Sequence, residues 1–325
     1  MSEQTTRREF LKDTGLVAGA IGVLNPMQAL AEAQTRATIK YPNGGAEHCI
    51  FIWLGGGAAQ IDMWDPKRVG DPKAKKAGSA YPAIDTAIPG VQVTEHLGQC
   101  AKILDRFCLL RTVNHDTKDE HAAATNRMHT GRPVSGTIVY PSIGSIVANQ
   151  RGKVTKGMPA YVVMGYPNLT RGPGFLGAQD GYIYLIDTEA GPAGLRRPSG
   201  ISDTRQTRRE QLLSGLRSGF RQRASTDPAV KNYDSVIEEA FALGRGEFMN
   251  AFQLTNESGG LRESYGGEFG QRCLLARRLV QRGVRFIEVS FNLNFINGTG
   301  WDTHNEGQEN QHILIRQLDQ ALASL

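Results

Sequence analysis

Cysteine is scarce in this chain, apolar runs are short, and neither sign of charge dominates. Four cysteines occur among 325 residues, at positions 49, 100, 108 and 273. Cys49 and Cys108 sit in apolar, strand-like runs and Cys273 on the apolar face of a helical pattern, where free cysteine behaves as a small hydrophobe. The expectation is buried free thiols and no disulfide framework. No segment approaches the roughly 20 apolar residues of a membrane-spanning helix, so no stable membrane span is expected in the mature protein. The formal net charge is only +5, and Arg7, Arg8 and Lys12 belong to the N-terminal segment. Many other basic residues fall between Arg196 and Arg223, where a solvated helix face explains them. Zinc-finger spacing and aromatic-rich RNA motifs are missing, which excludes nucleic acid as the expected partner. A hydrophobic content of 40% with 21% charged residues excludes a disordered chain.

What is present begins at the N-terminus. Thr6-Arg7-Arg8-Glu9-Phe10-Leu11-Lys12 precedes a Gly/Ala-rich apolar run from Gly15 to Leu24. Ala29-Leu30-Ala31 and Ala31-Glu32-Ala33 then offer small-x-small cleavage sites. Consecutive arginines, a short h-region and a cleavage site in that order read as a twin-arginine export signal over residues 1–33. The protein is therefore expected to fold in the cytoplasm and act in the periplasm. A reducing compartment of folding agrees with free thiols.

After the signal, just under 300 of the 325 residues remain, enough for one large α/β domain. Continuous apolar runs at His48–Leu54, Arg106–Val113, Pro159–Met164 and Val284–Ser290 read as strands buried on both faces. Phe269, Cys273, Ala276 and Val280 share one helical stripe, and Gly283 stops that helix before the next strand. Helix followed by strand, repeated, predicts a mostly parallel sheet sandwiched by helices. The stretch 171–257 is long, helical and Gly/Pro-punctuated, with Leu212, Leu213, Leu216 and Phe220 on one stripe. It reads as an insertion capping the sheet.

Ligands in open α/β sheets bind beyond the carboxyl ends of the strands, and polar clusters follow three of the expected strands. Gly55-Gly56-Gly57 leads to Asp62 and Asp65. No Gly-Lys-Ser/Thr follows those glycines, so this is not a P-loop. Asp65 precedes Pro66 and reads as a turn start, which leaves Asp62 as the better candidate. His115, Asp116, Asp119, Glu120 and His121 precede a short helix ending at Gly131. The acidic members suit a helix N-terminus. A cationic imidazole does not, whereas neutral, metal-bound histidines would. Asp302 and His304 are two apart, so an extended backbone turns both side chains the same way toward a common ion. Asp302 reads equally as the cap of the helix that follows.

Several motifs carry a resemblance. They are Gly56–Lys67 (Gly-Gly-x-x-x-x-Asp-x-Trp-Asp-Pro-Lys), the His/Asp cluster running into Met128-His129-Thr130-Gly131-Arg132-Pro133, Tyr265-Gly266 with Phe269-Gly270-Gln271, Ala276–Val280 with Gly283–Phe286, and Gly300-Trp301-Asp302-Thr303-His304. In that order they resemble the exported family known as domain of unknown function 1501, placed by similarity among alkaline-phosphatase-like and sulfatase-like proteins. The resemblance implies an alkaline-phosphatase-like α/β domain over residues 34–325 with a metal-bearing rim. Thr130-Gly131-Arg132 is similar to the Thr-Gly-Arg after the sulfatase nucleophile, but the nucleophile position counted back from it holds His121. Ala59 stands where the family commonly has a small hydroxyl residue. The family usually continues to an Arg-Asp-His motif, and Leu314, Leu318, Ala321, Leu322 and Leu325 are still in helical register at the end, so a longer native gene is expected.

Together these readings give an exported, metal-dependent hydrolase of phosphate or sulfate esters. Asp62, His121, Asp302 and His304 are the metal candidates. Zinc is the first choice for a His/Asp set, with manganese or calcium as alternatives. The partner would be a small-molecule ester. The alternative is a non-catalytic periplasmic scaffold on the same fold, whose partner would be another exported protein.

Overall fold

In a computed structural model, the described residues are 44–325 except 167–168, 224–225, 246, 292–299 and 305–306. The export signal and its cleavage sites lie outside them. The central feature is a four-stranded sheet built from β1 (Cys49–Trp53), β4 (Tyr161–Met164), β5 (Ile183–Leu185) and β6 (Phe286–Ser290). Its order is β1-β6-β4-β5 and every pairing is parallel. A separate antiparallel hairpin joins β2 (Ala83–Asp85) to β3 (Gln92–Thr94). The class is therefore α/β, with a parallel sheet flanked by helices, and Glu47–Leu325 form one compact unit.

Strand β6 lies between β1 and β4, with Phe51 and Val163 aligned on either side of Glu288. Burial on both faces is why Pro159–Met164 and Val284–Ser290 read as continuous apolar runs. One face packs Val162, Met164, Ile287 and Val289 into the main core. That core includes Cys273, Leu274, Ala276 and Leu279 of α7 (Glu268–Gln281) and Leu314, Ile315, Leu318 and Ala321 of α8 (Gly307–Ser324). The α7 stripe is the expected one, and Gly283 ends it at φ 93°, a left-handed conformation that glycine adopts without strain. Gly270 is fixed by close approach, since a Cβ there would lie 1.7 Å from the Tyr265 carbonyl oxygen. The helices α1 (Gly98–Lys102) and α8 are tied by Asp319, which accepts the N–H groups of Gln99 at 2.9 Å and Cys100 at 2.7 Å.

The opposite sheet face is smaller. Tyr161, Val163 and Phe286 meet Ala148 of α3 (Ile143–Arg151), with Phe51 packed against them. The helix α2 (His121–Thr130) lays its last turn here, setting His129 edge-on to Phe51 and Trp53 at ring-centroid distances of 5.7 and 4.7 Å.

Three expectations change. Arg106–Val113 is not a strand. Leu104–Arg106 is a short 3-10 helix, and the run beyond it is irregular, with Leu110 and Val113 exposed. Apolar content signals burial or pairing without saying which, and no described strand pairs with this run. The 171–257 stretch is not purely helical, because β5 forms one edge of the sheet before α4 (Asp203–Arg223) and α5 (Pro228–Arg245) begin. All four cysteines are free, but only Cys100 and Cys273 are buried, while Cys49 and Cys108 are exposed. Cys49 lies on β1, the other sheet edge, where an apolar run is covered on one side only.

Candidate functional site

The site grows from the carboxyl ends of β1 and β6. Beyond β1, Gly56 and Gly57 take φ values of 128° and 132°, which side-chain-bearing residues rarely adopt. The glycine turn is stitched to the Trp301 segment by the Trp301 N–H, which donates to the Gly55 carbonyl at 3.0 Å. Phe291 extends β6 by donating to the Trp53 carbonyl at 2.8 Å. Trp301 is fully buried and meets Phe291 edge-on, while Phe291 stacks on Phe269 of α7 with ring centroids 3.9 Å apart. An aromatic column thus anchors the residue immediately before Asp302.

Helix α2 brings the second component. Glu120 accepts the N–H groups of Ala122, at 2.9 Å, and Ala123, the cap its position predicts. Asp116 forms a two-pronged pair with Arg127, both oxygens at 2.6 Å from Nη2. That hydrogen bond holds the Asp116 carboxyl below its usual range. His121, the first residue of the helix, is left free to reach across.

Asp302 sits between two imidazoles. Its Oδ2 lies 3.2 Å from Nε2 of His121, and its Oδ1 lies 2.8 Å from Nε2 of His304. The carboxylate side chain is 25% exposed and the two rings about two-thirds exposed, so the cluster opens to solvent. Behind it Gln311, fully buried, donates to Thr303 Oγ1 at 3.4 Å, while its Oε1 and the Trp301 Nε1 have no partner. Three of the four candidates, from a helix start and the segment after β6, therefore converge on one spot.

Asp62 has a different assignment. It is 4% exposed and accepts the Ala80 N–H at 2.6 Å, fastening the glycine-turn segment to the stretch before β2. No contact among the described residues joins it to Asp302. Nor do the described residues hold a group of three or more His, Cys, Asp or Glu side chains arranged around one ion.

A second charged cluster lies beneath the site and was missed by the sequence reading. Glu288, at the centre of β6 and fully buried, accepts from Arg171 Nε and lies 3.2 Å from His129 Nε2 and 3.2 Å from the Tyr161 hydroxyl. His129 Nδ1 faces the Thr125 carbonyl at 2.8 Å. Burial pushes the Glu288 carboxyl up, but the His129 hydrogen bond and the Arg171 charge outweigh it and hold the carboxyl below its ordinary value. The Tyr161 hydroxyl is pushed well up, by burial first and then by the Glu288 charge. One signal was readable: a carboxylate inside a strand buried on both faces requires a buried cation.

The two clusters share α2. His121 opens it and His129 lies eight residues on, about 12 Å along the axis at 1.5 Å per residue. The Glu288–His129 contact pins one end of the rod whose other end presents His121 to Asp302.

Fold and site together define an α/β protein with a solvent-facing His-Asp-His cluster at the carboxyl edge of a parallel sheet. The model of a family described as protein of unknown function (DUF1501) matches residues 46–325, and the chain belongs to that family. No curated protein and no solved structure matches it.

Proposed function

We propose that this chain is a divalent-metal-dependent hydrolase of phosphate or sulfate esters, of alkaline-phosphatase-like fold, exported to the periplasm by the twin-arginine route. The observation that carries the reading is Asp302, with one oxygen turned to each of two exposed histidines. Two imidazoles and a carboxylate are a donor set that suits zinc, and manganese or calcium if further carboxylates join. His121, Asp302 and His304 would hold the ion, with Asp62 the further candidate if it releases Ala80. A bound divalent ion would polarise the ester oxygen and lower the pKa of a water.

The chain's own residues account for the rest. Asp302 orients both rings through Nε2, and a neutral ring that donates there keeps Nδ1 as its single lone-pair nitrogen, which would serve the ion on one ring or take a proton from water, not both. With His121 at the position where sulfatases carry a nucleophile, water is the attacking group. Exposure of both rings leaves room for a small ester. The scaffold alternative is favoured by two observations: Asp62 is already engaged in fastening a turn, and among the described residues no three His, Cys, Asp or Glu side chains are arranged around one ion.

Hydrolysis of an aryl phosphate and an aryl sulfate, measured with and without chelator, tests the proposal. The expected result is chelator-sensitive turnover of at least one ester, abolished in the Asp302→Ala, His304→Ala double variant. Turnover indifferent to both perturbations overturns the metal-site assignment, and no turnover after metal loading favours the scaffold.

A further inference from the structure

Helix α4 buries none of its residues, and its apolar side chains do not face its neighbour. The face it turns to α5 is polar: Arg221 donates to Asp234 at 2.7 Å and to Glu238 at 2.8 Å, and Arg217 pairs with the same two acids. The adjoining flank, about 110° round the helix, carries an apolar patch that is open. Leu212, Leu213, Leu216 and Phe220 are 66%, 39%, 72% and 54% exposed. At about 100° per residue these four fall within one stripe roughly 100° wide. Arg205 and Arg209 continue the same stripe toward the N-terminus and Arg223 toward the C-terminus, with Arg208 at its margin, and all four arginines are exposed. None of the four forms a salt bridge among the described residues.

The charges decide what can cover this face. A second copy packed antiparallel would set Arg205 and Arg209 near Arg223 of its neighbour, and a parallel one would set like on like, so self-association is opposed. The ridge is also convex, with each apolar member more than a third exposed, and offers no walled groove to a peptide or helix. An apolar centre bracketed by unpaired guanidiniums instead matches the headgroup layer of an anionic bilayer. There leucine and phenylalanine enter the acyl boundary while arginines meet lipid phosphates. We propose that the outer face of α4 docks the protein peripherally on an anionic phospholipid surface, the helix lying in the interface plane. No helix among the described residues is long and apolar enough to cross a membrane, so the contact is one of adsorption. The 21 residues of α4 would lay about 30 Å of helix along the surface.

Sedimentation of the full chain with phosphatidylglycerol-containing vesicles, against pure phosphatidylcholine vesicles, tests this. Binding is expected only to the anionic vesicles and should weaken in high salt. Leu216→Ser with Phe220→Ser should lower partitioning roughly tenfold or more. Arg205→Gln with Arg209→Gln and Arg223→Gln should do the same, at about one fivefold step per arginine. These side chains are exposed, so thermal melts should be unchanged. A Phe220→Trp variant adds an independent readout, an emission blue shift with anionic vesicles. Absent binding, or binding undiminished in both multiple variants, overturns the proposal. A concentration-dependent dimer lost in the Leu216→Ser, Phe220→Ser variant, without vesicle binding, would overturn it too and assign the face to a second copy.

Discussion

Replacing Glu288 by Gln keeps the side-chain volume and removes one negative charge from the middle of the sheet. Glu288 and His129 side chains are 0% exposed and that of Arg171 is 6% exposed, so the Arg171 guanidinium left behind cannot recover hydration. Breaking a buried pair on one side costs about 3–5 kcal/mol, against a total stability of about 5–15 kcal/mol. At roughly 2–4 °C per kcal/mol for a domain of this size, the melting temperature should fall by roughly 10 °C. Calorimetry at neutral pH measures it. Adding Arg171→Gln should cost less than the two single losses combined, with a coupling of about 1–3 kcal/mol. The pH dependence has a definite sign. The folded carboxyl lies below its ordinary value of 4.5. Its contribution is therefore complete above that value and is lost as pH falls through the depressed one. The Glu288→Gln variant should accordingly lose less stability on acidification than the parent. A melting temperature within about 2 °C of the parent, less than 1 kcal/mol would produce, refutes the reasoning.

Two further outcomes follow. In the native protein a thiol reagent should modify Cys108 readily, Cys49 more slowly because burial pushes its thiol up, and Cys100 and Cys273 only after denaturation, since burial pushes the Cys273 thiol up to about 12; rapid modification of all four would contradict this packing. Changing Arg7 and Arg8 together to Lys should leave unprocessed precursor in the cytoplasm, and normal processing of that variant in a host lacking the twin-arginine translocase would remove the export proposal.

The sheet was legible where strands are buried on both faces. Pro159–Met164 is an unbroken apolar run because neither face meets water, and Val284–Ser290 is one interrupted only by Arg285 and Glu288 before its closing serine. Ile183–Leu185 is only three residues long and alternates in burial, so it left no such run. Arg106–Val113 left one without pairing, because composition records apolarity and not hydrogen-bond partners. The His-Asp-His cluster was partly legible. The spacing of two between Asp302 and His304 is local geometry, and His121 stood out because a helix start disfavours an imidazolium. Asp62 looked the same on paper, but its destination depended on Ala80, eighteen residues away, which no local pattern encodes. Glu288 was hidden for the opposite reason: five apolar or small neighbours in Val284–Ser290 made the strand so clear that its one carboxylate passed unremarked.

Metal content of the purified chain tests the central claim most directly. After expression in metal-replete medium, elemental analysis should find bound divalent metal, zinc foremost. The Asp302→Ala, His304→Ala variant should lose all or nearly all of it while keeping the parent's melting profile without metal, because both side chains lie on the solvent side of the site. A metal-free parent, or metal retained at the same level in a folded double variant, would contradict the account.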